Sequence, residues 1–393
     1  FSTGKALGAS GLAWLKVHLS NSWGFDKASL EDRVEWTENN EDMIMRIGID
    51  PLESREWMDA DKPWQFLRSC FEYVCCNNNE DYVSHLPVTV DGSCNGLQHF
   101  SAMLRDDIGG AATNLINHEQ PEDIYEIVRR EAENAMVLDN NPEFNIWGSG
   151  GCLSRALVKR PVMTTPYGAT LYGMRDQIHE ELKKQLDKGV VFPGIDSSTD
   201  MWPHCKYLAF NIYEAIGRVV ISSRLGMKWL QDVAKASNKL KRPIYWTLPT
   251  GFVVKQKYIR SIVKEIKTII NGRMASLFAG SSDAEKMHSF RQVNGIAPNF
   301  VHSLDACHLM KTIVSARDNH GIESFAVVHD SFGTHACDIE QLGMVLRETF
   351  VDIYKEDILK KFMEEQGDLE LPSLPEYGKL NIEDVKNAEF FFS

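Results

Sequence analysis

Apolar positions along the chain follow two rhythms. A return every three to four residues predicts helices over residues 10–22, 29–46, 63–74, 96–105, 121–136, 152–163 and 175–188. Pro121 suits a first helical turn. A longer helical period covers 208–233. Another covers 298–320, with Val301, Leu304, His308 and Met310 near one face and Gly321 as the stop. Two short apolar, β-branched runs break this pattern. Residues 86–90 end abruptly at Asp91-Gly92, residues 324–328 end at His329-Asp330, and both predict buried strands. Residues 244–248 and 252–255 flank Pro249-Thr250-Gly251, a hairpin signal. A turn is expected at Tyr167-Gly168. The chain closes in acidic helix and loop, ending on Phe390-Phe391-Phe392, and no repeat or flexible linker interrupts it.

With 393 residues, 43% of them hydrophobic, the chain can bury a substantial core divided among two or three packed subdomains. It opens on Phe1 rather than Met, so the polypeptide is expected to begin further upstream. The most apolar early stretch, 66–76, contains Arg68 and Glu72, which argues against a membrane span. None of the eight cysteines forms a Cys-x-x-Cys pair, so neither a zinc ribbon nor a disulfide framework is expected; reduced thiols of an intracellular enzyme are.

Charge changes the picture more. The 42 basic against 55 acidic residues give −13, which as an average argues against a nucleic-acid partner. Binding depends on where the positive charge sits. Ten Lys/Arg lie between Lys235 and Arg273 against one acid, Glu265, while acids concentrate in stretches such as 356–370. A solvated helix face is the bland account of this basic stretch. Interleaved Tyr245, Trp246, Phe252 and Tyr258 offer stacking surfaces and favour nucleic-acid contact.

Each of the two predicted buried strands runs into an aspartate, and the two aspartates are 239 residues apart. An unpaired buried carboxylate is unfavourable, so an Asp closing an apolar strand points to a cation nearby. Either one alone reads as a turn cap. The two together, with a basic helix expected between them, suggest a metal-bridging carboxylate pair. Arg155 and Lys159 are four residues apart on one helical face, a repulsive pair that a triphosphate would neutralise.

These residues also carry a resemblance. Asp91-Gly92-Ser93-Cys94-Asn95-Gly96-Leu97-Gln98-His99-Phe100, the Arg155…Lys159…Tyr167-Gly168 spacing, and His329-Asp330-Ser331-Phe332-Gly333-Thr334 resemble polymerase motifs A, B and C, in that order. Ile296-Ala297-Pro298-Asn299-Phe300-Val301-His302-Ser303 resembles the segment before motif C in single-subunit DNA-dependent RNA polymerases of the bacteriophage and mitochondrial type. The similarity runs from about Gly4 to the closing phenylalanines.

What the resemblance implies is an α+β, helix-rich fold: a right-hand palm and fingers with a small antiparallel palm sheet. Palm entry with motif A would take 1–110, fingers-side helices with motif B 111–235, a basic hairpin and specificity-loop region 236–295, and palm with motif C 296–393. A promoter specificity loop aligns with about 259–282. The N-terminal promoter-binding domain and thumb of relatives would lie outside this chain, in a monomer of which this is the C-terminal portion. Asp91, Lys159 and Asp330 would be catalytic. Asp91 and Asp330 would hold two Mg2+ ions with help from the Gly92 carbonyl, while Arg155 and Lys159 would meet the phosphates and Lys159 would protonate pyrophosphate. Tyr167 and His302 would sense the ribose 2′-hydroxyl. Partners would be double-stranded DNA template and promoter, nascent RNA and ribonucleoside triphosphates, with no membrane. The setting would be host-cell cytoplasm for a phage protein, toward which residues 101–106 lean, or else the mitochondrial matrix.

Two rivals differ at named positions. Family-A-like DNA polymerases place Glu five residues after the motif-A Asp, where this chain has Gly96, and end motif C His-Asp-Glu where this chain has His-Asp-Ser. A catalytically silent nucleic-acid-binding fragment is disfavoured by intact Asp91, Lys159 and Asp330. Pro161 and Pro166 depart from the family's pattern and predict a kinked motif-B helix. His308, His99, Gln98, Tyr172 and Met174 are expected to pack, and Trp14, Trp64, Trp147 and Trp246 to lie in the core.

Overall fold

Buried apolar side chains gather into two clusters, and each element sorts by the cluster it feeds. The computed structural model describes residues 1–77, 79, 82–139, 141–196 and 198–393. Strand β1 (Lys5–Ala6) leads into helices α1 (Gly8–Trp23), α2 (Leu30–Asn39), α3 (Glu41–Ile49) and α4 (Pro63–Asn77), and β2 (Val83–Ser84) pairs back on β1. Strand β3 (Pro87–Asp91) then enters α5 (Asn95–Leu104). Leu15, Leu19, Ile44, Phe66, Val88 and Val90 lie in the first cluster.

The second cluster is helical. It is built from α6 (Asp107–Ala112), α7 (Ile124–Asp139), α8 (Arg155–Thr164), α9 (Leu171–Asp187) and α10 (Trp202–Val219), with Trp147 fully buried among them. Helix α5 serves both clusters. Leu97 faces the second, Phe100, Met103 and Leu104 face the first, and all ten of its residues are buried. Then come α11 (Ile221–Lys239), the hairpins β4 (Ile244–Thr247) with β5 (Val253–Gln256) and β6 (Ile259–Ile270) with β7 (Arg273–Met287), and α12 (Ser289–His320). Strands β8 (Ala326–Val328) and β9 (Ser331–His335) and helices α13 (Ile339–Lys355) and α14 (Ile358–Glu365) return the chain to the first cluster. The result is the expected helix-rich α+β class, with every strand pairing antiparallel. Among the described residues, no helix is long and apolar enough to cross a membrane.

The sheet that matters for the site has the order β3-β9-β8. Pro87 stands opposite His335 and Asp91 opposite Ser331, while Val328 stands opposite Ser331 from the other side. Close packing requires glycine at 333, because a Cβ there would approach the Ala326 carbonyl oxygen and Thr89 Cγ2 to 2.9 Å.

Several expectations give way. The helix expected over 29–46 divides at Asn40, whose Nδ2 donates to the Trp36 carbonyl at 2.7 Å and so competes for a helical acceptor. The period over 208–233 divides at Val220, within the β-branched run Val219-Val220-Ile221. Helix α7 begins at Ile124, leaving Pro121 outside it. Helix α12 starts nine residues before Pro298, because burial of Gln292, Ile296 and Ala297 carries its inner face upstream; Met310 on the same helix is 39% exposed. Strand β8 is an edge strand with Val328 71% exposed, so the run before Asp330 is not a buried strand. Nor is the basic stretch a helix. Only Lys235 and Lys239 sit on α11, whereas Arg260, Lys264, Lys267 and Arg273 ride the long β6–β7 ribbon. Pro166 falls in a separate 3-10 turn, Thr165–Tyr167, leaving Pro161 inside α8. Trp64 and Tyr172 are about three-quarters exposed rather than packed; Trp147, Trp246, His99, Gln98 and His308 are buried.

Candidate active site

Two carboxylates meet at the end of the three-stranded sheet. Alternating burial along β3 turns Val88 and Val90 inward and leaves Asp91 at the exposed strand end. Asp330 occupies the two-residue turn joining β8 to β9, after His329 in a left-handed conformation (φ 53°). The Gly92 amide donates to the Asp330 carbonyl at 3.1 Å, so pairing of β3 with β9 brings the two distant aspartates side by side.

Their environments differ. Asp91 is half-exposed, with Lys62 Nζ 3.7 Å from its carboxylate. Burial pushes the Asp330 carboxyl up to about 6, and the negative charges of Asp305 and Asp91 add to the rise against the pull of its own backbone amide and His329. A carboxylate raised by burial and like charge is one whose ionised form lacks a counter-ion. Two carboxylates beside the Gly92 carbonyl, which also accepts from the Cys94 amide at 3.0 Å, form an all-oxygen donor set that fits a hard divalent cation.

Facing them is a cationic wall on α8. Arg155 is held from two sides: its Nε donates to Asp123 Oδ2 at 2.5 Å, and its guanidinium lies 5.0 Å above the Tyr125 ring. Lys159, one turn on, has no ion-pair partner among the described residues. Desolvation lowers its pKa, as do the positive charges of Arg155, Lys27 and Lys62, against the opposing pull of Asp26. An unpaired ammonium beside three other cations is suited to an anion with several oxygens.

The third side is the turn after α8. Thr164 and Thr165 hydroxyls donate to the Arg160 and Pro161 carbonyls at 2.9 Å each, tightening the helix into the 3-10 turn that presents Tyr167. The Tyr167 ring stands edge-on to His302 with centroids 4.5 Å apart. Burial, then the charge of Asp305, pushes the Tyr167 hydroxyl above its ordinary range, so it stays a neutral donor and acceptor. Beneath it lies Gly96, where a Cβ would come within 2.7 Å of Pro166 Cγ and 3.0 Å of Tyr167 Cζ.

A cavity of about 400 Å³ gathers Asp91, Gly92, Asp330, Arg155, Lys159 and Tyr167 on its walls. His302 is exposed and lies outside that lining, joined to it through Tyr167. Lys27, Lys62, Asp123 and Tyr125 also line the cavity, and no spacing signal in the sequence singles them out. The closing residues back the site. Gln98 Nε2 donates to the Phe391 carbonyl at 3.1 Å, Ser93 Oγ to the Phe390 carbonyl at 3.3 Å, and the Ser393 amide to the Asp91 carbonyl at 3.2 Å.

The DNA-dependent RNA polymerase family model matches residues 5–368. Over its whole length the chain is 38% identical to DNA-directed RNA polymerase 2B, chloroplastic/mitochondrial, of Nicotiana tabacum, covering 39% of that protein. It is 34% identical to T7 RNA polymerase of Escherichia phage T7 and to the DNA-directed RNA polymerase of Enterobacteria phage T3, in each case over 99% of the chain and 49% of the phage protein. The chain thus spans less than half the length of these relatives.

Proposed function

From the premise that the chain belongs to the DNA-dependent RNA polymerase family, we propose that it carries out DNA-templated RNA synthesis by two-metal nucleotidyl transfer from ribonucleoside triphosphates. The observation that carries this reading is the Asp91–Asp330 pair facing the Arg155–Lys159 wall across one cavity.

Asp91, Asp330 and the Gly92 carbonyl are the residues that would hold two magnesium ions. Bound there, the ions would acidify a primer 3′-hydroxyl and offset charge on the departing pyrophosphate. Arg155, its guanidinium pre-oriented by Asp123 and Tyr125, would fork onto phosphate oxygens. Lys159 would neutralise the remaining phosphate charge, and its lowered pKa suits it to hand a proton to pyrophosphate. Tyr167 and His302 would meet the ribose 2′-hydroxyl. Gly96 keeps Tyr167 in place, since any larger side chain there would strike it.

In this reading the sheet and first cluster form a palm, the second cluster forms fingers, and the divisions fall at 1–110, 111–235, 236–295 and 296–393. The β6–β7 ribbon, with five basic residues against three acids and few ties to the body, would read promoter DNA in a groove. Template and promoter DNA, nascent RNA and ribonucleoside triphosphates would be the partners of a monomer. The named relatives come from phages and plant organelles, so host-cell cytoplasm and organelle matrix both suit it.

The test is single-nucleotide addition by the complete protein on a primed DNA template with magnesium, offering ribo- and deoxyribonucleotides separately. Ribonucleotides are expected to be preferred. Asp91→Asn and Asp330→Asn are expected to abolish addition while DNA binding persists; full activity in either variant would remove the carboxylate pair from the chemistry.

A further inference from the structure

Asp305 sits on α12 one turn past His302. It is 7% exposed, so its carboxylate needs partners. Two reach it from distant parts of the chain. Asn95 Nδ2 donates to Oδ1 at 2.6 Å, and His329 Nδ1 stands 3.7 Å from Oδ2. The Asn95 carboxamide oxygen is buried without a partner, so its bond to Asp305 is the only hydrogen bond of that side chain among the described residues. Asp305 does not line the cavity that holds Asp91 and Asp330, and Asn95 already occupies one of its oxygens. A third metal ligand is therefore not its role.

Its partners converge on Tyr167. Asn95 precedes Gly96, the residue on which Pro166 and the Tyr167 ring rest. His302, edge-on to Tyr167, shares a helical turn with Asp305. His329, whose ring lies 6.2 Å from that of His302, holds a left-handed backbone that a non-glycine residue adopts reluctantly. One buried carboxylate thus ties the floor under Tyr167, the helix bearing His302 and the turn bearing Asp330.

We propose that Asp305 is a specificity-determining positioning residue: by holding Asn95–Gly96 and the His302 turn in register, it sets the distance from the Tyr167 hydroxyl to a nucleotide 2′-position. The proposal rests on the reading of Tyr167 and His302 as the sugar-sensing pair. Asp305 acts through these neighbours and does not itself touch the nucleotide.

The experiment compares kcat/KM for GTP and dGTP in single-nucleotide addition by the complete protein. The set is wild type, Tyr167→Phe, Asp305→Asn, Asn95→Ala and the Tyr167→Phe/Asp305→Asn double variant, each first checked for folding by its melting curve. Asp305→Asn keeps an oxygen for Asn95 but loses the charge facing His329, and Asn95→Ala removes the donor while leaving Asp305 intact. Tyr167→Phe, Asp305→Asn and Asn95→Ala are each expected to lower the ribo-to-deoxy ratio roughly two- to tenfold, the weight of one hydrogen bond. The double variant is expected to fall no further than Tyr167→Phe alone, as for residues acting through one gate. An unchanged ratio in Tyr167→Phe would overturn the sugar-sensing reading itself. A lowered ratio there, with Asp305→Asn and Asn95→Ala slowing both sugars equally, would make Asp305 a packing residue and overturn this proposal. Should Asp305→Asn fail to fold, Asn95→Ala decides.

Discussion

Replacing Asp330 with asparagine is expected to stabilise the metal-free protein at neutral pH even as it removes one of the two carboxylates proposed to hold a cation. The folded carboxyl titrates at about 6, against about 3.9 for an unperturbed aspartate. Between those values the folded chain holds more protons than the unfolded chain, so stability declines as pH rises through this window, and the full penalty stands above it. A gap of about two pH units is worth about 3 kcal/mol at most. Water reaches this part-buried carboxyl, and screening leaves about 1–2 kcal/mol. Asparagine cannot ionise and escapes the penalty. For a chain of this size that is a rise in Tm of roughly 1–3 °C at pH 7.5, shrinking toward nothing at pH 4. Melting curves in chelator across that range measure it. Added magnesium is expected to raise the wild-type Tm at pH 7.5 but not that of the variant, because the cation relieves the same repulsion. A variant less stable than wild type at pH 7.5, or a difference that ignores pH, would refute the reasoning.

Two further outcomes follow from contacts around the cavity. Gly96→Ala places a methyl 3.0 Å from the Tyr167 ring and closer still to Pro166; displacement of Tyr167 is expected to lower kcat/KM for ribonucleotides at least several-fold, which single-turnover kinetics would measure. Asp123→Asn leaves Arg155 with a neutral partner in place of its carboxylate, and the expected result is a higher KM for the triphosphate with kcat little changed, roughly tenfold for one charge-assisted hydrogen bond.

The strand that ends at Asp91 was legible because β3 combines a β-branched apolar run with an abrupt polar stop, a pattern that depends on few other residues. The edge strand β8 shows the same pattern while only partly buried, with Val328 exposed, since a short apolar run records propensity but not what covers it. The β6–β7 ribbon did carry a local signal: Asn271-Gly272, both with positive φ, directly after a β-branched run. Its lysines drew attention to a charged helix face instead. Asp123 and Tyr125 were invisible for a different reason. They meet Arg155 across the break between α7 and α8, and no periodicity spans that distance. Asp305 was marked more faintly, as a carboxylate among the inward-facing positions of α12, where charged residues are rarely found without a partner.

Helix α5 has no solvent face, and this bears on how the protein tolerates change. A surface helix can drift in composition because about half its positions touch only water. Along α5, every substitution alters a contact in one of two separately built interiors, and the residues that begin it adjoin Asp91. A random-substitution library is therefore expected to leave this ten-residue segment nearly invariant among active clones, while the outer faces of α7 and α9 vary freely.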